Sequence, residues 1–244
     1  MFEQAPVVEE KIIPAKERGV TLNDWLLSRH SFSFGKFHNL SRINFGTLRV
    51  LNDDLIQPGG GFGTHPHENM EIITIVLKGT LAHKDSKGNE GILQPGDFQR
   101  MTAGSGIQHS EYNPSKTEPL HLLQLWIFPK ARDLEPSYEQ KKIELKKNVL
   151  TEIASGYEKG EGLFFHQEAA LYLGEFSKKK TITHKVHSKK SGIYLFLIEG
   201  EVSLDGKTLT TGDAAQITGI DKEFEVKTLA PSNLLLIEVN VDTL

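Results

Sequence analysis

Apolar runs in this chain are short and closely punctuated. Ile72–Leu77, Leu120–Phe128, Ile193–Ile198 and Leu234–Val241 are typical. Each is rich in β-branched, leucine or aromatic residues and is bounded by Gly, Pro, Asn or Asp. An amphipathic helix needs roughly 10–12 residues of continuous pattern, whereas a strand needs about 4–8. With 22 glycines and 10 prolines among 244 residues, turn signals recur too often for a helical bundle. The expected class is all-β, a sandwich or barrel of many short strands. Lys84–Asn89 reads as a hairpin turn, and Leu204-Asp205-Gly206-Lys207 as a tight one. Pro136–Asn148, polar and rich in Lys, Glu and Gln, reads as a linker with at most a turn or two of helix.

The pattern occurs twice. One apolar run ends at Lys78-Gly79, and a polar hairpin then leads to Pro95-Gly96-Asp97. Another ends at Glu199-Gly200, and a hairpin leads to Thr211-Gly212-Asp213. Two copies in matching context indicate a duplicated β-unit. The division is expected near residues 131–140, giving domains 1–135 and 136–244.

Composition narrows the chemistry. Cysteine is absent, which removes disulfides, thiolate nucleophiles, zinc ribbons and iron–sulfur clusters. Any metal must be held by histidines and carboxylates. A net charge of −4 argues against direct nucleic-acid binding. The acidic N-terminus lacks the apolar core of a secretory signal, and no apolar run approaches 18 residues. Neither export nor a membrane is expected, and the cytoplasm is the default location.

Potential ligands concentrate in the first half. A glycine-rich stretch, Gly59–Thr64, leads into His65-Pro66-His67. A second, Ala103–Gln108, leads into His109-Ser110-Glu111. Residues i and i+2 of a strand share a face. His65 and His67 therefore point one way, as do His109 and Glu111. If the two strands are neighbours in a small barrel, three imidazoles and a carboxylate converge, a donor set suited to Fe, Mn, Ni, Cu, Co or Zn. Glu71 has the parity of His67; it is a further ligand, a partner orienting an imidazole, or an edge carboxylate. His30, His38, His83, His121 and His166 read as ordinary surface or hydrogen-bonded histidines. His184 and His187, three apart, should face opposite sides of a strand. The lysines around them (Lys178–Lys180, Lys185, Lys189, Lys190) read as protection of an exposed strand edge.

Gly59-x5-His65-x-His67-x3-Glu71-x7-Gly79 resembles the first cupin motif, and Pro95–Asp97 followed by His109 resembles the second. A longer series is more specific. Asn52-Asp53-Asp54, Gly61-Phe62-Gly63-Thr64-His65-Pro66-His67, Met70-Glu71-Ile72, Gln99-Arg100-Met101-x-Ala103-Gly104-Ser105-Gly106-Ile107-x-His109-Ser110-Glu111 and Pro136-Ser137-Tyr138-Glu139-Gln140 resemble the pirin family. The likeness is to its bacterial quercetin 2,3-dioxygenase-like members and covers about residues 10–141; the remainder resembles the family's second cupin more loosely.

The resemblance implies two tandem cupin (double-stranded β-helix, jelly-roll) barrels. One divalent transition metal, Fe(II) first among the candidates, would be held by His65, His67, His109 and Glu111. Glu71 would stand just outside the ligands. It further implies a dioxygenase that opens a planar flavonol with O2 and releases carbon monoxide, with Glu111 as the base. Phe45, Phe98, Met101 and Trp126 are candidate walls of the substrate pocket. Pirins also include metal-bearing regulators that bind protein partners, so a protein partner is the alternative. In the second half, the positions matching His67 and His109 are Ser188 and Glu225, so no second metal site is expected.

Overall fold

The structure, a computed structural model, describes residues 8–158 and 160–242. In chain order the strands are β1 (Glu9–Ile13), β2 (Gly19–Leu22), β3 (Leu26–His30), β4 (Leu48–Ile56), β5 (Gly61–His67), β6 (Glu71–Lys78), β7 (Leu81–Asp85), β8 (Glu90–Leu93), β9 (Asp97–Thr102), β10 (Ile107–Tyr112), β11 (Leu120–Ile127) and β12 (Ser137–Lys142). They continue with β13 (Thr151–Ser155), β14 (Leu163–Phe164), β15 (Ala169–Phe176), β16 (Thr181–Lys185), β17 (Ser191–Glu199), β18 (Glu201–Leu204), β19 (Lys207–Thr210), β20 (Ala214–Thr218), β21 (Glu223–Thr228) and β22 (Ser232–Asn240). Among the described residues, helix is confined to one short 3-10 turn, Ala15–Glu17.

These strands form two copies of one architecture. A seven-stranded sheet, β12-β9-β6-β11-β4-β3-β2, faces the four-stranded sheet β5-β10-β7-β8. The second copy pairs β1-β20-β17-β22-β15-β13-β14 with β16-β21-β18-β19. The all-β, two-cupin expectation is met. The repeat is exact enough to show in its glycines: Gly79 and Gly200 both take positive φ (83° and 107°). At each, a Cβ would fall within 2.6 Å of a carbonyl oxygen, that of Pro119 or of Pro231. The turn from each apolar strand therefore needs glycine.

Strand pairing runs across the expected 135/136 border. Residues 137–142 are not a linker: they form β12 and pair with β9 in the first large sheet. The N-terminal β1 leaves the first barrel and pairs with β20 in the second. Each barrel's large sheet is thus completed by a strand from across the expected 135/136 border. Arg100 helps to hold β12 in place through Ser137 (2.6 Å) and Glu139 (3.1 Å).

Each large sheet has both faces buried. One parity of residues (Ile73, Ile75, Leu123, Leu125, Ile127) meets Tyr194, Phe196, Leu235 and Ile237 of the other sheet in the central core. The opposite parity faces its own barrel. This is why these strands read as continuous apolar runs rather than alternating ones. Burying each such side chain contributes on the order of 1.5–3 kcal/mol.

The first barrel's interior is layered. Leu26, Ile56, Val76, Leu81, Leu93, Leu120 and Leu122 fill one end, and Ile72, Met101, Ala103 and Ile107 fill the other. Between them one cross-strand row runs His30, Asn52, Gln124, Thr74, Gln99. All five are buried. In the second barrel the matching row is Tyr172, Leu236, Leu195, Ala215. A polar belt has become an apolar one there, and Glu225 points outward. His184 and His187 do not diverge as expected. His187 lies beyond the end of β16, so strand parity does not govern it. Both histidines meet the Glu238 carboxylate, His184 through Nε2 and His187 through Nδ1, each at 3.0 Å.

Glu71 is also relocated. Its side chain does not support an imidazole of the histidine cluster. Thr102 Oγ1 donates to its Oε2 (2.8 Å), and His166 of the second barrel meets its Oε1 through the backbone N–H (3.3 Å) and Nδ1 (3.1 Å). Glu71 is a fully buried clasp between the barrels, and His166, read from sequence as ordinary, is its other half.

Two expectations follow from these carboxylates. Thr102→Val leaves one Glu71 oxygen without its donor and should cost about 1–3 kcal/mol, read as a lowered melting temperature with metal content unchanged. For Glu238, the two imidazoles, Ser191 and the His187 N–H outweigh burial and hold the carboxyl down at about 2. The ionised form is the one that folding favours, so its contribution is complete above the ordinary carboxylate range and is lost as pH falls toward 2. Glu238→Gln should therefore be less stable than the parent near pH 7, with the gap closing between about pH 5 and 2. A gap that stays constant in thermal melts across that range would contradict the assignment.

Candidate metal centre

The expected strand adjacency is present. β5 and β10 are antiparallel neighbours with His65 opposite His109 and His67 opposite Ile107; an irregularity then sets Glu111 opposite Phe62. On the other side of β10, β7 places Asp85 opposite His109 and His83 opposite Glu111. The ligating atoms of His65, His67 and His109 lie within 4.8 Å of one another. His83, His109 and Glu111 form an overlapping trio by the same measure. His109 is the shared member, so the four residues expected from sequence are joined through it. His83 is an addition that the sequence reading set aside. The alternation Leu81-x-His83-x-Asp85 after the Gly79 turn was the available signal.

The donor atoms fit a divalent cation. His65 Nδ1–H donates to the Gly63 carbonyl at 2.8 Å. That bond orients the ring and leaves the Nε2 lone pair free, an arrangement typical of metal-binding imidazoles. His65 Nε2 faces His109 Nε2 at 3.0 Å. His67 Nε2 and Glu111 Oε1 are buried with no hydrogen-bond partner. Burial, then the neighbouring imidazoles, holds His67 and His109 down at about 3, so both rings are neutral donors at neutral pH. Burial pushes the Glu111 carboxyl up. Gln124 restrains it, donating from Nε2 to Glu111 Oε2 (2.8 Å) while its Oε1 accepts from Trp126 Nε1 (3.1 Å).

A cavity of about 620 Å³ opens onto His65, His67 and Glu111, a volume within the range of small-molecule sites. Its apolar walls are Leu26, Phe34, Phe62 and Trp126, with Asn52, Asp54 and Gln124 among its polar groups. Trp126 stands edge-on to His67 (centroids 4.8 Å apart) and to Phe34 (5.4 Å). Of the four walls expected, Trp126 alone lines this cavity. Phe45 packs on Tyr194 between the barrels, Phe98 lies in the central core, and Met101 fills the apolar end beside Ile72. Phe34 and Phe62 take their place. The segment carrying Phe34 precedes every motif recognised in the sequence, and only the tertiary fold brings it over the histidines.

Known proteins agree with this architecture. Residues 13–127 match the Pirin family, and residues 152–239 match the quercetinase C-terminal cupin domain. The chain is 40% identical over 203 residues to a protein named quercetin 2,3-dioxygenase from Escherichia coli (strain K12), covering 83% of this chain and 87% of that one. It is 34% identical over 228 residues to a pirin-like protein of Caulobacter vibrioides, covering 92% and 97%. Its fold superposes on the bacterial pirin YhhW of Escherichia coli in complex with nickel(II), with a TM-score of 0.89, 36% identity, and coverage of 95% and 99%. Two back-to-back cupin barrels, a three-histidine cluster with its carboxylate in the first, and these likenesses along nearly the whole length lead to one conclusion: the chain belongs to the pirin family.

Proposed function

We propose that this chain is a metal-dependent dioxygenase that cleaves a flavonol such as quercetin with O2 and releases carbon monoxide. One observation carries the reading. His65, His67 and Glu111 line the same cavity as Phe34, Phe62 and Trp126, and His109 stands behind them within the same cluster of donor atoms, so an ion and a flat aromatic ligand can occupy adjoining space. The relative named quercetin 2,3-dioxygenase supports the same chemistry.

His65, His67, His109 and Glu111 would hold the ion, with Fe(II) as the proposed native metal. Bound there, it supplies Lewis acidity that makes the flavonol's 3-hydroxyl more acidic and fixes its orientation. The protein supplies the rest. Trp126, Phe34 and Phe62 clamp the ring system and exclude water. Glu111 takes the 3-hydroxyl proton, its position set by Gln124. Gln124 is itself braced by Trp126, so the base and the ring wall move as one unit.

The experiment is aerobic incubation with quercetin, following flavonol loss and carbon monoxide. Stoichiometric carbon monoxide supports the enzyme. Metal-bearing protein that leaves quercetin intact would reassign the chain to the partner-binding kind of pirin. Elemental analysis should find close to one transition-metal ion per chain, and His67→Ala should lose most of it while keeping the β-fold; two ions per chain would refute the single site. Glu111→Gln should weaken metal binding and abolish turnover together. Glu71→Gln should retain both and lose thermal stability instead, because Glu71 is bonded to Thr102 and His166. The reverse ranking would overturn the ligand assignment.

A further inference from the structure

Two adjacent aspartates on β4 have opposite fates. Asp53 faces away from the barrel interior and is fully engaged: His121 Nε2 lies 2.6 Å from its Oδ1, and Arg18 donates to its Oδ2 at 3.1 and 3.2 Å. Asp54 faces inward, is only 3% exposed, and lines the cavity shared by His65, His67 and Glu111. Its Oδ1 is buried with no hydrogen-bond partner. Asp53 has the surroundings of a structural carboxylate, and Asp54 does not. Burying a carboxyl oxygen with nothing to accept from is costly.

Ser28 hydrogen-bonds the Asp54 carboxyl but leaves Oδ1 unfilled, and the other polar groups nearby are already committed to one another. His30 Nδ1 meets Asn52 Oδ1 at 2.8 Å, and its Nε2 meets Thr21 Oγ1 at 2.9 Å. Gln124 is spent on Glu111 and Trp126. Asp54 is therefore the acceptor that this wall leaves for something in the cavity. Its strand neighbours across the sheet are Ser28 and Leu122, and the adjoining walls are the aromatic faces that suit a flat ring.

We propose that Asp54 is a specificity-determining residue: its free Oδ1 accepts a phenolic O–H of the bound ligand, one separate from the oxygens that face the metal, so that the cavity selects polyhydroxylated over singly hydroxylated planar aromatics. This rests on the flavonol reading above and refines it. Nothing covalent is involved; one hydrogen bond forms between a ring hydroxyl and the carboxyl.

The test reads binding rather than turnover. Protein loaded with nickel(II) and kept anaerobic is titrated with quercetin and with 3-hydroxyflavone, which retains the 3-hydroxyl and carbonyl but has no other hydroxyl. The parent should bind quercetin more tightly. Asp54→Leu should weaken quercetin about tenfold, near the value of one buried hydrogen bond, and leave 3-hydroxyflavone within about twofold. Asp54→Asn, whose amide oxygen still accepts, should fall between. Asp54→Leu should also melt at or above the parent temperature, because it removes a buried carboxyl oxygen that nothing in the protein satisfies; a structural aspartate would give the opposite.

Equal losses for both flavonols, an unchanged quercetin affinity in Asp54→Leu, or a lowered melting temperature in both variants would overturn the proposal while the flavonol reading stands. A parent protein that binds neither compound would remove the flavonol reading and this proposal with it.

Discussion

The contact on which this molecule depends is the one between its two large sheets. Because Leu123, Leu125 and Ile127 are spent on the opposing barrel, only the intervening residues of β11 remain to furnish the interior of their own. Those residues are Leu122, Gln124 and Trp126, one for each layer of the barrel. The chain can keep a polar belt at the middle layer because apolar layers above and below it, and the whole interdomain core, supply the burial that the belt forgoes. In the second barrel the same level is Tyr172, Leu236, Leu195 and Ala215.

Much of this could be read from residues alone, for a physical reason. Strand parity is a local property, so the convergence of His65 with His67 and of His109 with Glu111 needed only the assumption that β5 and β10 are neighbours. What could not be read depends on partners far away in sequence. His83 enters the site because β7 sets it opposite Glu111. Phe34 reaches Trp126 across 92 positions. Glu71 has the parity of a supporting residue, yet His166, 95 positions on, takes it over. Parity also misled where the strand had already ended, at His187.

The site and the scaffold share side chains. Trp126 is at once a cavity wall, a neighbour of His67 and the donor that holds Gln124. Gln124 in turn holds Glu111. A substitution made to reshape the cavity at Trp126 therefore also releases the carboxylate, and the cavity's shape cannot be changed there independently of Glu111. Phe34, edge-on to Trp126, belongs to the same chain of contacts, whereas Asp54 has no hydrogen-bonded route through Trp126 and Gln124.

The exchanged strands bear on how the protein comes into being. On the ribosome β1 is made before the first barrel, but its partner β20 (Ala214–Thr218) follows roughly two hundred residues later. During synthesis the N-terminal strand has no edge of its own to join, while the first barrel can close as soon as β12 emerges. At about 5–20 residues per second the interval is some ten seconds or more. Throughout it, an unpaired strand trails from a barrel that is already complete. Final assembly is then a closure between β1 and β20, with the long-range loop cost that slows such steps.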